Sequence, residues 1–203
     1  MIAIIDYGAG NLFSLASSLK HIGAEAEITG DTEAIRKADR MILPGVGAFG
    51  DAAAELAARG LDKVICEEAH AGKPLMGICL GMQLLFEQSL EYGEHEGLGL
   101  IKGTVRPLQG YLPEGYKIPQ IGWNSLEFHG EKHPVFRDVP DGAFVYFVHS
   151  YYGDADVSQL AATCDYGNTV TAAVTEGNVV GCQFHPEKSG EVGLSILKAF
   201  CDL

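Results

Sequence analysis

The first ninety residues alternate between short apolar runs and longer segments with apolar residues at helical spacing. "IAII" (2–5) reads as a buried strand, and "NLFSLASSLKHIG" after it as a helix closed by Gly23. "AEAEIT" reads as a short strand. Asp31 is a good cap for a helix over "DTEAIRKA". "RMIL" reads as a strand ending at Pro44. "FGDAAAELAARG" and "LDKVICEEAHAG" read as two helices, the second ending at Gly72. "PLMGI" is a further strand and "GMQLLFEQS" (81–89) a further helix. Strands alternating with helices at this spacing predict a parallel sheet with helices on both faces.

From about Glu96 the helical periodicity stops. Strand-like runs follow: "GLIKGTVRPL", "IGWNSLEF", "AFVYFVHSY", "LAATCDY", "VTAAVTEG" and "VVGCQFH". A last helix, "EVGLSILKAFCDL", ends the chain. The expectation is an α/β protein with a single-domain open mixed sheet, mostly parallel, over residues 1–203. The later strands would build onto the parallel part. Open sheets of this kind bind ligands at the carboxyl ends of their strands. That directs attention to Asp6–Asn11, Pro44–Gly47, Cys79, His149–Tyr152 and His185–Lys188.

Composition narrows the partners. A chain of 203 residues, 47% hydrophobic and 20% charged, suits one globular domain with a full core. Its formal net charge of -13 argues against nucleic acid or an anionic membrane as the main partner. No apolar run approaches the roughly 20 residues that span a bilayer. "MIAIIDYGAGN" reads as a first strand and not as a signal peptide. The five cysteines form no C-x-x-C pair, so neither a disulfide framework nor a zinc site is expected, and a reducing cytoplasm fits.

One cysteine stands apart. In "GICLGMQ" Cys79 lies between Gly77 and Gly81, after a strand pattern and before a helix pattern. That is the setting of a nucleophile elbow, with Cys in place of Ser. A sharp turn lifts the side chain clear of the sheet, and the backbone N–H of Leu80 is then available to an oxyanion. A small buried cysteine at a tight turn would carry the same letters. A nucleophilic cysteine needs a base, and the base an orienting group. "QFHPEKS" offers His185 and Glu187, two residues apart and so on the same side of an extended segment. A surface loop with a histidine and a glutamate is the alternative. "PGVG" (44–47) could supply a second backbone donor through Val46 or Gly47, or could be a plain strand-to-helix turn. The other four cysteines lie in helix or strand patterns and read as core.

Taken together, G-I-C-L-G-M-Q, H-P-E near the end and P-G-V-G before a helix resemble the class I (triad) glutamine amidotransferases, over the whole chain and in that family's order. Within the family, "DYGAGN", "PGVGAFGDA", "GICLGMQLLFE", "IPQIGWN", "YFVHSYY" and "QFHPEKS" are most similar to the glutaminase subunits of imidazole glycerol phosphate synthases. The anthranilate and GMP synthase branches more often carry P-G-P and G-H-Q, where Val46 and Met82 stand in this chain. The resemblance implies the flavodoxin-like architecture of the family and hydrolysis of the glutamine side-chain amide. It implies that Cys79 is the nucleophile, His185 the base and Glu187 the orienting group. Leu80 and the Val46–Gly47 segment would hold the oxyanion, and Gln83, Ser150 and Tyr151 the substrate glutamine. No metal or cofactor is implied.

It also implies a partner. Ammonia released into neutral water is mostly ammonium, which is no nucleophile, so a glutaminase feeding a synthesis delivers it through a dry path. The family's answer here is a cyclase subunit, a (β/α)8 barrel, in a heterodimer that makes imidazole glycerol phosphate and aminoimidazole carboxamide ribonucleotide for histidine biosynthesis. Asn11, Pro119, Trp123, Asn124 and Lys188 are the expected contacts. A cysteine hydrolase working alone and a catalytically silent partner-binding relative are the competing readings. Two weaker signals are set aside. "GAGNLF" lacks the third glycine of a dinucleotide fingerprint. "HGEKH" has Gly130 and Pro134 where a metal-binding helix would need helix formers.

Overall fold

The computed structural model describes residues 1–203. Its main sheet has eight strands. β1 (Ile2–Ile5), β2 (Ala26–Thr29), β3 (Arg40–Gly45) and β4 (Leu75–Cys79) alternate with the helices α1 (Leu12–His21), α2 (Thr32–Lys37), α3 (Phe49–Ala58) and α4 (Leu61–His70). After β4 come α5 (Leu80–Leu84), β5 (Phe86–Ser89), β6 (His95–Glu96), β7 (Ile101–Pro107), β8 (Gln120–Ser125), β9 (Glu127–Phe128), β10 (Phe144–His149) and β11 (Tyr151–Ala155). The chain ends with β12 (Leu160–Asp165), β13 (Thr169–Glu176), β14 (Val179–Cys182) and α6 (Gly190–Cys201). The main sheet runs in the order β2-β1-β3-β4-β14-β13-β12-β9, parallel as far as β14 and antiparallel beyond it.

Strand alternation divides the core in two. Ile2 and Ile4 of β1 face Leu15 and Leu19 of α1 and Ile196 and Phe200 of α6. Ala3 and Ile5 face Ile35 of α2, Phe49 of α3 and Ile65 of α4 on the other side. Helices therefore cover both faces, as the pattern predicts. Asp31 caps α2 by accepting from the Ala34 N–H at 2.8 Å. Asn11 caps α1 by accepting from the Ser14 N–H at 3.4 Å.

Two expectations need correction. The helix read over 81–89 stops at Leu84, and Phe86–Ser89 is a strand. The Leu84, Leu85 and Phe86 carbonyls accept from the backbone N–H groups of Leu98, Leu100 and Gly99, so pairing with a distant segment outcompetes the local helix. The later runs also do not all extend the main sheet. Only β9, β12, β13 and β14 do; β11-β7-β5-β6 and β10-β8 form two smaller sheets beside it.

Candidate active site

Three neighbouring parallel strands, β3, β4 and β14, end on the same edge. Gly45 is paired in register with Cys79, and Cys182 with Ile78. Their carboxyl ends bring together the Val46–Gly47 turn, Cys79 and the segment 183–187, which lie far apart in the chain.

Cys79 is the turn between β4 and α5. Its φ of 55° and ψ of -112° put a non-glycine residue in a strained region. Small neighbours make the turn possible. A Cβ on Gly77 would lie 2.7 Å from the Gly81 carbonyl oxygen, and a Cβ on Gly81 would overlap the Leu43 carbonyl. The helix that follows is a single turn, so its dipole is slight. Leu80 is its first residue, whose N–H has no acceptor within the helix.

His185 Nδ1 and Glu187 Oε1 are 2.8 Å apart, and both side chains are buried. The loop carrying them is fastened to β10. The His185 N–H donates to the Tyr146 carbonyl, the Tyr146 N–H donates to Ser189 Oγ, and that hydroxyl donates to the His185 carbonyl. Burial opposes protonation of His185, but Cys79 and Glu187 together outweigh it and push its pKa up to about 9. His185 Nε2 makes no hydrogen bond of normal geometry, yet the Cys79 sulfur lies close enough to the ring to favour its protonated form. A cysteine beside a histidine that a buried carboxylate orients is the arrangement of a nucleophile with its base.

Cys79 opens into a cavity of about 310 Å³. Val46, Gly47, Leu80, Gln83, Ser150 and Tyr151, all expected from the sequence, line it. Gly47 has a φ of 104°, which favours glycine, and open space where a Cβ would be. Pro119 also lines the cavity, at its edge. The remaining expected partner contacts lie outside it. Trp123 is 55% exposed and packs edge-on against Tyr146, with Lys188 Nζ 5.9 Å from the same tyrosine ring. Asn124 is half-buried, and its side-chain amide donates to the Asp165 carbonyl.

Three further residues shape the site; Glu91 and Gln183 carried no clear sequence signal, and His149 belongs to the strand end picked out from the sequence, without a role assigned. Glu91 is buried in the cavity wall and accepts from the Phe49 N–H at 2.6 Å, capping α3, which has no cap of its own. His149 lines the cavity with Nδ1 2.8 Å from the Tyr151 carbonyl, and burial pushes its pKa down to about 4, so it is neutral. Gln183 is fully buried beside Cys79. A lone amide inside the apolar run "VVGCQFH", just before the histidine, was the one available hint.

The sequence model of the class-I glutamine amidotransferases matches residues 3–202. The chain belongs to this family. Among curated members, the imidazole glycerol phosphate synthase subunit HisH of Bacillus cereus is 52% identical over 200 residues, covering 98% of this chain and 93% of that one. The subunit of the same name from Wolinella succinogenes is 45% identical over 205 residues, covering the whole of both chains. Solved amidotransferase folds superpose closely at low identity. PurLQS from Thermotoga maritima gives a TM-score of 0.77 at 23% identity, over 99% of this chain and 97% of that one. A glutamine amidotransferase fold with a buried Cys–His–Glu constellation at the ends of its central strands can carry out thioester chemistry on an amide.

Proposed function

We propose that the chain is the glutaminase subunit of an imidazole glycerol phosphate synthase, one catalytic domain over residues 1–203. It would work in the cytoplasm in a heterodimer with a (β/α)8-barrel cyclase. The observation that carries the chemistry is the buried His185–Glu187 pair beside Cys79 on its strained turn. The near-full-length similarity to HisH subunits carries the choice of branch.

The substrate is glutamine. Its amino-acid end sits against Ser150 and Tyr151, with Gln83 beside it, and the Glu91 carboxylate faces the cavity where an α-ammonium group would need a counter-charge. Cys79 passes its thiol proton to His185, and the sulfur attacks the side-chain carbonyl carbon. The oxyanion is held by the Leu80 N–H and by an N–H of the Val46–Gly47 segment. His185 returns the proton to the departing nitrogen, which leaves as ammonia. Water then cleaves the glutamyl thioester to glutamate and restores the thiol.

Val46 and Gly47 also suit a switch. A peptide that turns its N–H away from the cavity removes one oxyanion donor, which costs on the order of 100- to 1000-fold in rate. Docking of the ligand-loaded cyclase would turn it back. The ammonia then passes to the cyclase, which makes imidazole glycerol phosphate and aminoimidazole carboxamide ribonucleotide.

The test is glutamate release from glutamine by the chain alone, with the cyclase, and with the cyclase plus its nucleotide ligand, against Cys79→Ala as blank. Activity in the last mixture only is the expected result. Strong turnover by the chain alone would replace the gated glutaminase with an independent hydrolase. No Cys79-dependent turnover in any mixture would leave a binding subunit.

A further inference from the structure

Gln183 lies two residues before His185 and is fully buried. The direction of its amide is fixed from outside. The Tyr151 carbonyl can only accept, and it takes a hydrogen from Gln83 Nε2 at 3.0 Å. That identifies the Gln83 nitrogen. Its second hydrogen goes to Gln183 Oε1, also at 3.0 Å. With its oxygen engaged there, Gln183 turns its own Nε2 toward Cys79 Sγ, 3.8 Å away. Also 3.8 Å from the sulfur is the Val148 carbonyl. A carbonyl accepts only from a thiol; an amide N–H favours a thiolate.

We infer that Gln183 is a further catalytic residue: its side-chain N–H donates to the Cys79 sulfur once the thiol proton has moved to His185, and Gln83 is the positioning residue that orients it. Gln183 exchanges no proton. The proton goes from sulfur to imidazole, the sulfur's electron pair forms the carbon–sulfur bond, and the carbonyl pair moves to oxygen. The Gln183 hydrogen bond strengthens when the sulfur is charged and weakens as that charge leaves. It therefore acts when the sulfur is charged, and it ties the ionisation of Cys79 to the Tyr151 segment that lines the cavity. This inference rests on the reading of Cys79 as the glutaminase nucleophile, but the ionisation itself can be measured without glutamine.

Other groups also bear on the sulfur and stay in place in the test. His185, backed by Glu187, faces it from the loop after β14, and Tyr7 from the segment after β1. His149 and Glu91 share its cavity from β10 and from the turn after β5.

The experiment follows alkylation of the full chain by iodoacetamide across pH, scored by mass spectrometry on the Cys79 peptide. It uses Gln183→Met and Gln183→Glu. Loss of one hydrogen bond to a charged group raises the thiol's titration by about one pH unit, so Gln183→Met reacts roughly tenfold more slowly near neutrality and converges with wild type at alkaline pH. Gln183→Glu, matched in shape but negative, moves further in the same direction. Gln83→Met, which frees the Gln183 amide, gives a smaller shift of the same sign. A wild-type titration in both Gln183 variants overturns the inference. So does slowing by the same factor at every pH, which reports altered access instead. A shifted titration in a chain that never releases glutamate, even with the loaded cyclase, overturns the glutaminase reading and leaves the Gln183 inference standing.

Discussion

His149 shows how one buried side chain sets a pH limit. Its Nδ1 faces the Tyr151 carbonyl, Nε2 has no partner, and burial holds its pKa down to about 4 against an ordinary value of 6.5. The unfolded chain takes up this proton at a higher pH than the folded one does. Stability from this residue is therefore full above pH 6.5 and falls as the pH drops toward 4, by about 3 kcal/mol at most. His185 works in the opposite sense. Its pKa, raised to about 9, gives a contribution that is full below 6.5 and is lost as the pH climbs through 9. His149→Asn keeps a donor near the Nδ1 position and removes the titration. Its unfolding free energy, measured in urea from pH 7 to 4, is expected to fall less steeply than that of wild type; an unchanged slope would refute the assignment. At this scale the sequence was most readable where a residue type and a strand end coincide, as at Cys79, His185 and Glu187. Glu91 and Gln183 have roles that depend on what lies across the cavity, and no spacing along the chain encodes that.

The elbow is the element on which the site depends, and it tolerates almost no change in volume. Gly81 packs its α-carbon against the Leu43 carbonyl of the adjacent strand. Gly81→Ala would drive a methyl group into that backbone, which cannot move without breaking the pairing of β3 with β4. A loss of about 3 kcal/mol or more is expected from such overpacking, together with loss of Cys79 reactivity. A melting temperature equal to wild type would show that the turn can shift and that the glycine is dispensable. The glycines around Cys79 were legible because a turn this sharp demands them. The length of the helix after it was not. "LLFEQS" is apolar and amphipathic enough for either structure, and the choice fell to strand β7 and the Leu98–Ile101 segment, which are reached only after a further turn.

For the whole molecule the proposed cyclase partner calls for a docking surface. The two-stranded sheet of β8 and β10 packs one face into the core through Val145 and Phe147 and exposes Ile121, Trp123 and Phe144 on the other, with Tyr146 beside Trp123 and Lys188 over the Tyr146 ring. Pro119 and Val148 continue this face into the cavity that holds Cys79, so a partner seated on it would cover the mouth and keep ammonia from water. The sequence pointed to Trp123 by its uniqueness and its setting, but the separate ribbon that presents it emerged only from the fold. An exposed tryptophan on such a face is a strong anchor. Trp123→Ala is expected to weaken cyclase binding by about 2 kcal/mol, roughly thirtyfold in Kd, with little change in melting temperature because the side chain is half in solvent and leans mainly on Tyr146. Lys188→Ala should act differently, slowing association more than it speeds dissociation and reducing the salt dependence of binding. Titration calorimetry and stopped-flow association at two ionic strengths separate the two effects. Wild-type affinity in Trp123→Ala would move the docking face away from β8 and β10. A Trp123→Ala chain that binds normally but releases glutamate without being stimulated would instead make this residue part of the relay from partner to oxyanion turn.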